Sequence, residues 1–544
     1  MVLREYLSEL SLDSLRGIAE EIGIEPETKL RGKLINAIDL RLFDRAYLKR
    51  LVKRLKEQEQ RGLMRLILAG RSGLASVDGS PEEMRGLVRR GLAYAVGWQR
   101  RPVRYVMPQD VEESLSEYAR DLLRSELAFL SKEAGVRESG SALVRDLFVF
   151  LSYVDQYGIA LTGQGKLYKR TVRKVLERFE VREEMSDAGG MEYPPRFGII
   201  VRYSYGRDLV DHVEGRLQTT RLFEPWLDLS ELEKVADLLA YELSFFGQHH
   251  SPVLTTIKIL SALPPHQAVP LAALSETAQR YGPVGRGGGI RRIRAGREQV
   301  LWLIQELYWS GVVGLDAAEV DQATRVALTG IGASVLKDEA SGASEPPVAE
   351  LFVQPNFEIL VPRGLDLKPR FQLERFAELV SVDQMLTYRI GRDSVYRAAE
   401  RGMESGEILS FLETYSKVPL PQNLRYSVSD WAGRYGEIRF RNAFLLCTNT
   451  PELADEIKAN KNLAHFIRGE LSPSALIVQR EEFPALVRRL QKAGYFPRTD
   501  IIGEQEKSAP REMHRTFVPQ RVKDVLDETE PLVPRGPFVE PSQF

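Results

Sequence analysis

The chain has almost no cysteine and little histidine: one cysteine and six histidines in 544 residues. A lone Cys447 excludes any disulfide within the chain and any zinc site built from several thiolates. Only His249 and His250 are close in sequence. Neighbours on a helix point in different directions, so they make a poor ligand pair. No stretch of about 18 apolar residues occurs, so no membrane span is expected. The charged opening MVLREYLSELSLDSL does not read as a signal peptide. The expected location is the cytoplasm. Net charge is also missing, with 75 Lys+Arg against 76 Asp+Glu, so no global field draws the molecule onto a polyanion. Any nucleic-acid contact must come from local basic patches.

Catalytic motifs are absent as well. The nearest approach to the phosphate loop GxxxxGK[ST] is ALTGQGKL, residues 160–167. Ala160 stands where the first glycine belongs and Leu167 where the Mg²⁺-binding hydroxyl belongs. No DEAD or DEAH box occurs. Asp455-Glu456-Ile457-Lys458 mimics a carboxylate–lysine nuclease set, but it lies in a charged helical segment, where a solvated face is expected. No Ser/His/Asp spacing is recognisable. The expectation is a protein that is not an enzyme, with no catalytic residues, no metal and no cofactor.

What is present is an ordinary globular composition, 43% hydrophobic and 28% charged. The length implies roughly three to five domains. Residues 1–42 read as short helices, with Leu3, Leu7, Leu10, Leu15 and Ile18 at helical spacing, then Leu30, Leu34, Ile35 and Ile38. This layout resembles the small nucleic-acid-binding modules of the SAP and Rho N-terminal kind. That resemblance implies a nucleic-acid face at Lys29, Arg31 and Lys33; an ordinary helical hairpin is the alternative. Residues 43–130 read as a long charged helix, a second helix begun by Ser80-Pro81 and ended by Gly91, and a hairpin. That order is the order of a winged helix. Similar shapes recur at 140–250, where units near 143–179 and 197–246 are separable, and again at 251–330. Segments 131–141, 181–195 and 331–348 read as linkers. Residues 349–503 read as a mixed α/β domain, and 504–544 as an extended or disordered tail. The fold class expected is multidomain, mainly α with winged-helix-like units, plus a C-terminal mixed α/β domain.

Residues 349–503 carry a family resemblance. The strings are Val353-Gln354-Pro355-Asn356-Phe357, Ile359-Leu360-Val361-Pro362, the helix Leu373–Leu379, TYRIGRDSVYRAAERGM at 387–403, and ILSFLETYSKVPLPQNLRYSVSDWAGRYGEIR at 408–439. They resemble the N-terminal domain of XPB-type helicases, as found in bacterial helicase-associated proteins, without the motor. The family usually has Asp or another polar residue where Asn356 stands. The resemblance implies either DNA sensing or docking onto partner subunits and does not choose between them.

Three basic segments are the candidate contacts. Between Met84 and Gln109 lie Arg85, Arg89, Arg90, Arg100, Arg101 and Arg104 with no acid, and Trp98 interleaves them as a stacking platform would. Arg89 and Arg90 fall on the expected recognition helix, and Arg100 and Arg101 at the expected wing tip. Lys166, Lys169, Arg170 and Arg173 belong to a helix whose spacing puts several cations on one face. Arg286, Arg291, Arg292, Arg294 and Arg297 occupy a glycine-rich, acid-free stretch that suits close approach to phosphate. A solvated charged surface is the competing reading for each. The function these features imply is that of a non-catalytic nucleic-acid-binding accessory protein in a DNA transaction such as repair or transcription. The alternative is a scaffold that docks a separate helicase or nuclease.

Overall fold

The structure is a computed structural model. It describes residues 2–25, 30–69, 75–76, 81–96, 104–130, 135–185, 193–246, 252–282, 290–337, 350–435 and 443–498. The described chain forms two compact units. Among the described residues, the first comprises those up to Gly391 with Thr414–Leu420, and the second Arg392–Glu413 with Pro421 to Arg498.

The first unit opens with helices α1 (Leu3–Glu9), α2 (Leu12–Glu21), α3 (Arg31–Phe43) and α4 (Arg45–Lys53). Leu3, Leu7, Leu10, Leu15, Ile18, Leu34 and Ile38 are all buried together, as their spacing requires. The Ser11 hydroxyl caps α2 by accepting from Ser14 N at 3.2 Å. Asp44 caps α4 by accepting from Ala46 N at 2.9 Å. The long helix expected after residue 43 is in fact two. α4 ends at Lys53 and α5 (Glu57–Ala69) begins afresh, because the Glu59 carboxylate accepts from Lys56 N at 2.9 Å and starts a new first turn.

One strand order then occurs three times, with one helix between the first strand and the hairpin in the first instance and two in the others. In the first instance α5 is followed by β1 (Ala75–Ser76), α6 (Pro81–Arg89), β2 (Tyr94–Val96) and β3 (Arg104–Val106), with strand order β1-β3-β2. Helix α7 (Gln109–Leu127) follows. The second instance is α8 (Ala142–Tyr157), β4 (Ile159–Ala160), α9 (Lys169–Leu176), α10 (Pro195–Gly206), β5 (Val210–Val213) and β6 (Arg216–Thr219), with order β4-β6-β5. Helices α11 (Phe223–Leu227) and α12 (Glu231–Phe246) come next. The third instance is α13 (Pro252–Ala262), β7 (Ala268–Pro270), α14 (Leu271–Tyr281), α15 (Ile290–Trp309), β8 (Val313–Leu315) and β9 (Arg325–Leu328), with order β7-β9-β8. In each, the strand after the first helix pairs antiparallel with the last strand of a hairpin.

This corrects the separation of 143–179 from 197–246. β4 and β6 are hydrogen-bonded neighbours, Ile159 facing Leu217, so α10 and its hairpin complete the sheet begun at β4. The three instances are not isolated beads either. One continuous core runs from Met64 to Phe371. Two of the expected linkers are therefore built in where they are described. Arg137 bridges to Leu315 in the third sheet, with Arg137 N 2.7 Å from Leu315 O. Residues 330–337 form helix α16 (Gly330–Lys337), whose Ile331, Val335 and Leu336 pack on the core, because a helical apolar stripe cannot stay in water when a core is at hand. At Gly311, φ is +76° and an added Cβ would lie 2.3 Å from Gly140 O, so only glycine lets these two backbones meet.

A four-stranded sheet completes the first unit: β10 (Phe352–Val353), β11 (Glu358–Pro362), α17 (Leu367–Glu374), β12 (Glu378–Val382) and β13 (Met385–Arg389), in order β10-β11-β13-β12. Leu367 and Phe371 of α17 join the main core. The stretch expected as one domain, 349–503, thus contributes to both units.

The second unit holds α18 (Arg392–Glu400), most of α19 (Ser405–Tyr415) and α20 (Gln422–Gly433). A three-stranded sheet follows from β14 (Phe444–Cys447), α21 (Pro451–Ala459), β15 (Ile467–Ser472), β16 (Ala475–Val478) and α22 (Phe483–Lys492), in order β14-β16-β15. Its own small core is Ala454, Ile457, Leu463, Phe466, Leu476, Val478, Leu486 and Leu490. The mixture of helices and small sheets agrees with a multidomain α and α+β architecture. The tail 504–544 lies outside the described residues.

Candidate nucleic-acid interface

Helix α9 is the clearest basic face. Val172, Val175 and Leu176 are buried and fix which side of the helix looks inward. Lys169, Arg170, Arg173 and Lys174 are consequently exposed, as is Lys166 in the turn before them. Arg170 lies over the Tyr168 ring at 5.7 Å, and Tyr168 is itself exposed. Among the described residues, Arg170, Arg173 and Lys174 form no ion pair. Glu177 is the acid at the helix end, and it is exposed too.

The turn leading into α9 is tight. Thr162 N donates to Lys166 O at 2.8 Å, Gly165 N to Thr162 O at 2.9 Å, and Lys166 N to the Thr162 hydroxyl at 3.1 Å. Those three amide groups are consumed within the turn. The loop ALTGQGKL therefore does not present them outward as a phosphate cradle needs.

The other basic segments differ from each other in outcome. On α6, Arg85 and Arg89 are exposed. Arg90 is not available: its guanidinium sits 3.0 Å from Glu59 and 3.3 Å from Glu21. Arg104 lies on β3 between Ser76 and Val96. Trp98, Arg100 and Arg101 lie outside the described residues, as do Arg286 and Lys29. The backbone of Arg291, Arg292 and Arg294 is helical, in the first turn and a half of α15, and Arg297 in the same helix is exposed. In the N-terminal module, Arg31 and Lys33 are exposed, and Arg31 donates to Ser8 O.

The basic segments do not all fall on equivalent elements of the repeated topology: those of α6 and α15 lie on the helix directly before a hairpin, and that of α9 does not. α9 is one element earlier, and the helix before the second hairpin is α10. That helix buries Arg196, Phe197, Ile199, Ile200, Val201, Tyr203 and Ser204, so most of its surface faces protein. Its first turn is held by Glu183, which accepts from Arg196 N at 3.0 Å and Phe197 N at 2.9 Å. Two tyrosines of the 387–403 string differ in the same way. Tyr388 is fully buried and bonded to Arg370 and Glu374, whereas Tyr396 is exposed and edge-on to Tyr435 at 5.4 Å.

No group of three His, Cys, Asp or Glu among the described residues is placed to hold a metal ion. The Asp455–Lys458 string sits on α21, where Lys458 pairs with Asp455 at 2.6 Å and with Glu470 at 2.7 Å. Glu456 accepts from the Tyr495 hydroxyl at 2.9 Å. No helix among the described residues is long and apolar enough to cross a membrane.

Comparison with known proteins adds two findings. Residues 351–471 match the family described as helicase conserved C-terminal domain. The chain is 25% identical over 154 residues to the DNA 3'-5' helicase XPB of Mycobacterium tuberculosis (strain ATCC 25618 / H37Rv), covering 27% of this chain and 27% of that protein. The chain is therefore helicase-related in this segment. It matches only about a quarter of that helicase's length. The matching family is described by a C-terminal helicase domain, so the likeness to an N-terminal domain does not follow from it.

Proposed function

We propose that this chain is a nucleic-acid-binding accessory protein without a motor of its own. Its three helix–strand–helix–hairpin instances are read as winged-helix units, and its XPB-related segment as the part that senses DNA or docks a partner. The supporting observation is the face of α9, where Arg170, Arg173 and Lys174 are exposed and unpaired among the described residues. In a molecule with a net charge of −1, such a face is the place where backbone phosphate releases counterions. The helicase-related match supports the same reading, since the relative acts on DNA by its name.

The test is fluorescence polarisation with labelled duplex and single-stranded DNA at two salt concentrations. Contact with about four phosphates gives a slope of log K against log salt near −4. Reversing Arg170 and Arg173 to Glu should weaken binding at least tenfold. No binding at low salt, or binding that ignores both salt and the double variant, removes the proposal.

A scaffold that docks a separate helicase or nuclease is the second reading. It is favoured by Leu40 and Phe43, 75% and 63% exposed on α3. It predicts a stable protein partner and a function indifferent to Arg170 and Arg173.

A further inference from the structure

Trp302 and Trp309 lie on α15, two helical turns apart and so on one face. Their rings meet at right angles, with centroids 6.2 Å apart. Trp302 is 38% exposed, and Trp309 is half-buried against the core. Two perpendicular rings leave a notch between the face of one and the edge of the other.

The notch has acids beside it. Trp302 Nε1 donates to Glu306 Oε1 at 2.7 Å, which fixes the ring. Glu306 shares one guanidinium with Glu242: Arg202 Nε lies 3.3 Å from Glu242, and Arg202 Nη2 lies 3.9 Å from Glu306. Two carboxyls thus stand against one arginine. Burial and then Glu242 push the Glu306 carboxyl up to about 8, the direction expected of an acid short of a cation. Glu298, one turn before Trp302, and Arg297 beside it are both exposed.

The chain carries a segment that fits this surface. Pro531-Leu532-Val533-Pro534-Arg535-Gly536-Pro537 has proline at every third position. That is the period of a polyproline II helix, which sets its prolines along one edge and enters aromatic clefts at small entropic cost. Arg535 follows the central proline and brings the cation that the carboxyls lack. The segment lies outside the described residues, and the chain between Arg498 and Pro534 spans up to about 120 Å when extended. Nucleic-acid bases also stack on indoles, but the acids beside these rings oppose phosphate.

We propose that the Trp302–Trp309 notch is the docking site of the chain's own proline-rich segment, one proline ring entering between the indoles and Arg535 turned to Glu306. Docking covers the exposed indole and gives Glu242 and Glu306 a guanidinium each. The assignment does not rest on the proposed function, since no residue of the α9 face takes part.

The experiment is timed trypsin digestion of the full chain, with cleavage after Arg535 followed by mass spectrometry. Each rate is divided by that of an isolated peptide of the same sequence, and cleavage after Arg511 serves as the control. Docking should slow cleavage after Arg535 at least about tenfold relative to Arg511, in proportion to the undocked fraction. Pro534→Ala and Trp302→Ala should each abolish that difference, and Trp302→Phe should keep part of it. P534A changes only the docked segment, so it tests the idea even if W302A lowers the thermal melt. Equal rates at Arg511 and Arg535 in the wild type, or a difference that survives either alanine variant, overturn the assignment. So does a difference that vanishes on about tenfold dilution, which marks the segment of a second copy. If Trp302 instead stacks on bases, cleavage after Arg535 is fast and W302A weakens single-stranded DNA binding, and that outcome overturns it too. Failure of the proposed function would appear separately, as DNA binding indifferent to Arg170 and Arg173.

Discussion

Asp146 and Arg196 form an ion pair at 2.6 Å with side-chain exposures of 0% and 1%. It joins α8 to α10. Asp146 also receives the backbone N–H groups of Glu180 and Val181, so it holds the chain that leads from α9 into α10. Burial raises its pKa to about 6, against the pull of Arg196.

Asp146→Asn should therefore cost about 3–5 kcal/mol, because it strands a buried guanidinium rather than removing a balanced pair. The double variant Asp146→Leu, Arg196→Met should recover much of the loss. Urea unfolding midpoints measure both. Equal destabilisation by the single and double variants would show that the pair is not the source.

Glu306 makes stability depend on pH. Burial, and then the neighbouring Glu242, raise its pKa to about 8, while its Oε1 accepts from Trp302 Nε1 at 2.7 Å. The folded chain thus holds a proton that the unfolded chain releases near 4.5. Stability contributed by this group is fully present below about 4.5 and declines as pH rises to about 8, at up to about 1.4 kcal/mol per unit. Glu306→Gln keeps an acceptor for Trp302 and carries no charge, so it should flatten the dependence between pH 5 and 8. Denaturant midpoints across that range check it; an unchanged slope in the variant counts against Glu306.

Arg89 and Arg90 are adjacent and chemically identical, yet should behave differently. Arg90 pairs with Glu59, which is buried at 8% exposure. Arg90→Ala should destabilise by about 1–3 kcal/mol, since an unsatisfied buried carboxylate remains. Arg89→Ala, at an exposed position, should change stability by less than about 0.5 kcal/mol and should act, if at all, on DNA affinity. Thermal melts of the two variants side by side separate these outcomes.

Helical periodicity was readable at Leu3, Leu7, Leu15 and Ile18, and it placed those residues in a core without help from any other part of the chain. The same held for α9, where Val172 and Val175 mark the inner face and so expose Arg170 and Arg173. Side-chain spacing is a local property, and burial follows it directly. The two helices and the hairpin of residues 43–130 were legible for the same reason, but the strand between those helices and the hairpin that closes the sheet begun at β4 were not. Nor were the arginines that count. Arg90 looks like Arg89 in sequence, and Glu59 and Glu21 disqualify it only once α2, α5 and α6 come together.

The amino-acid sequence alone determined where the apolar stripes run and which residues carry charge. Only the tertiary structure decided which charges are spent on each other, that α10 completes the sheet begun at β4, and that residues 135–141 and 330–337 pack where linkers were expected. The physical reason is one of range. Hydrophobic periodicity acts between residues a few positions apart, whereas an ion pair such as Arg363 with Glu180 joins groups that the sequence keeps far apart, and only a finished core sets their distance.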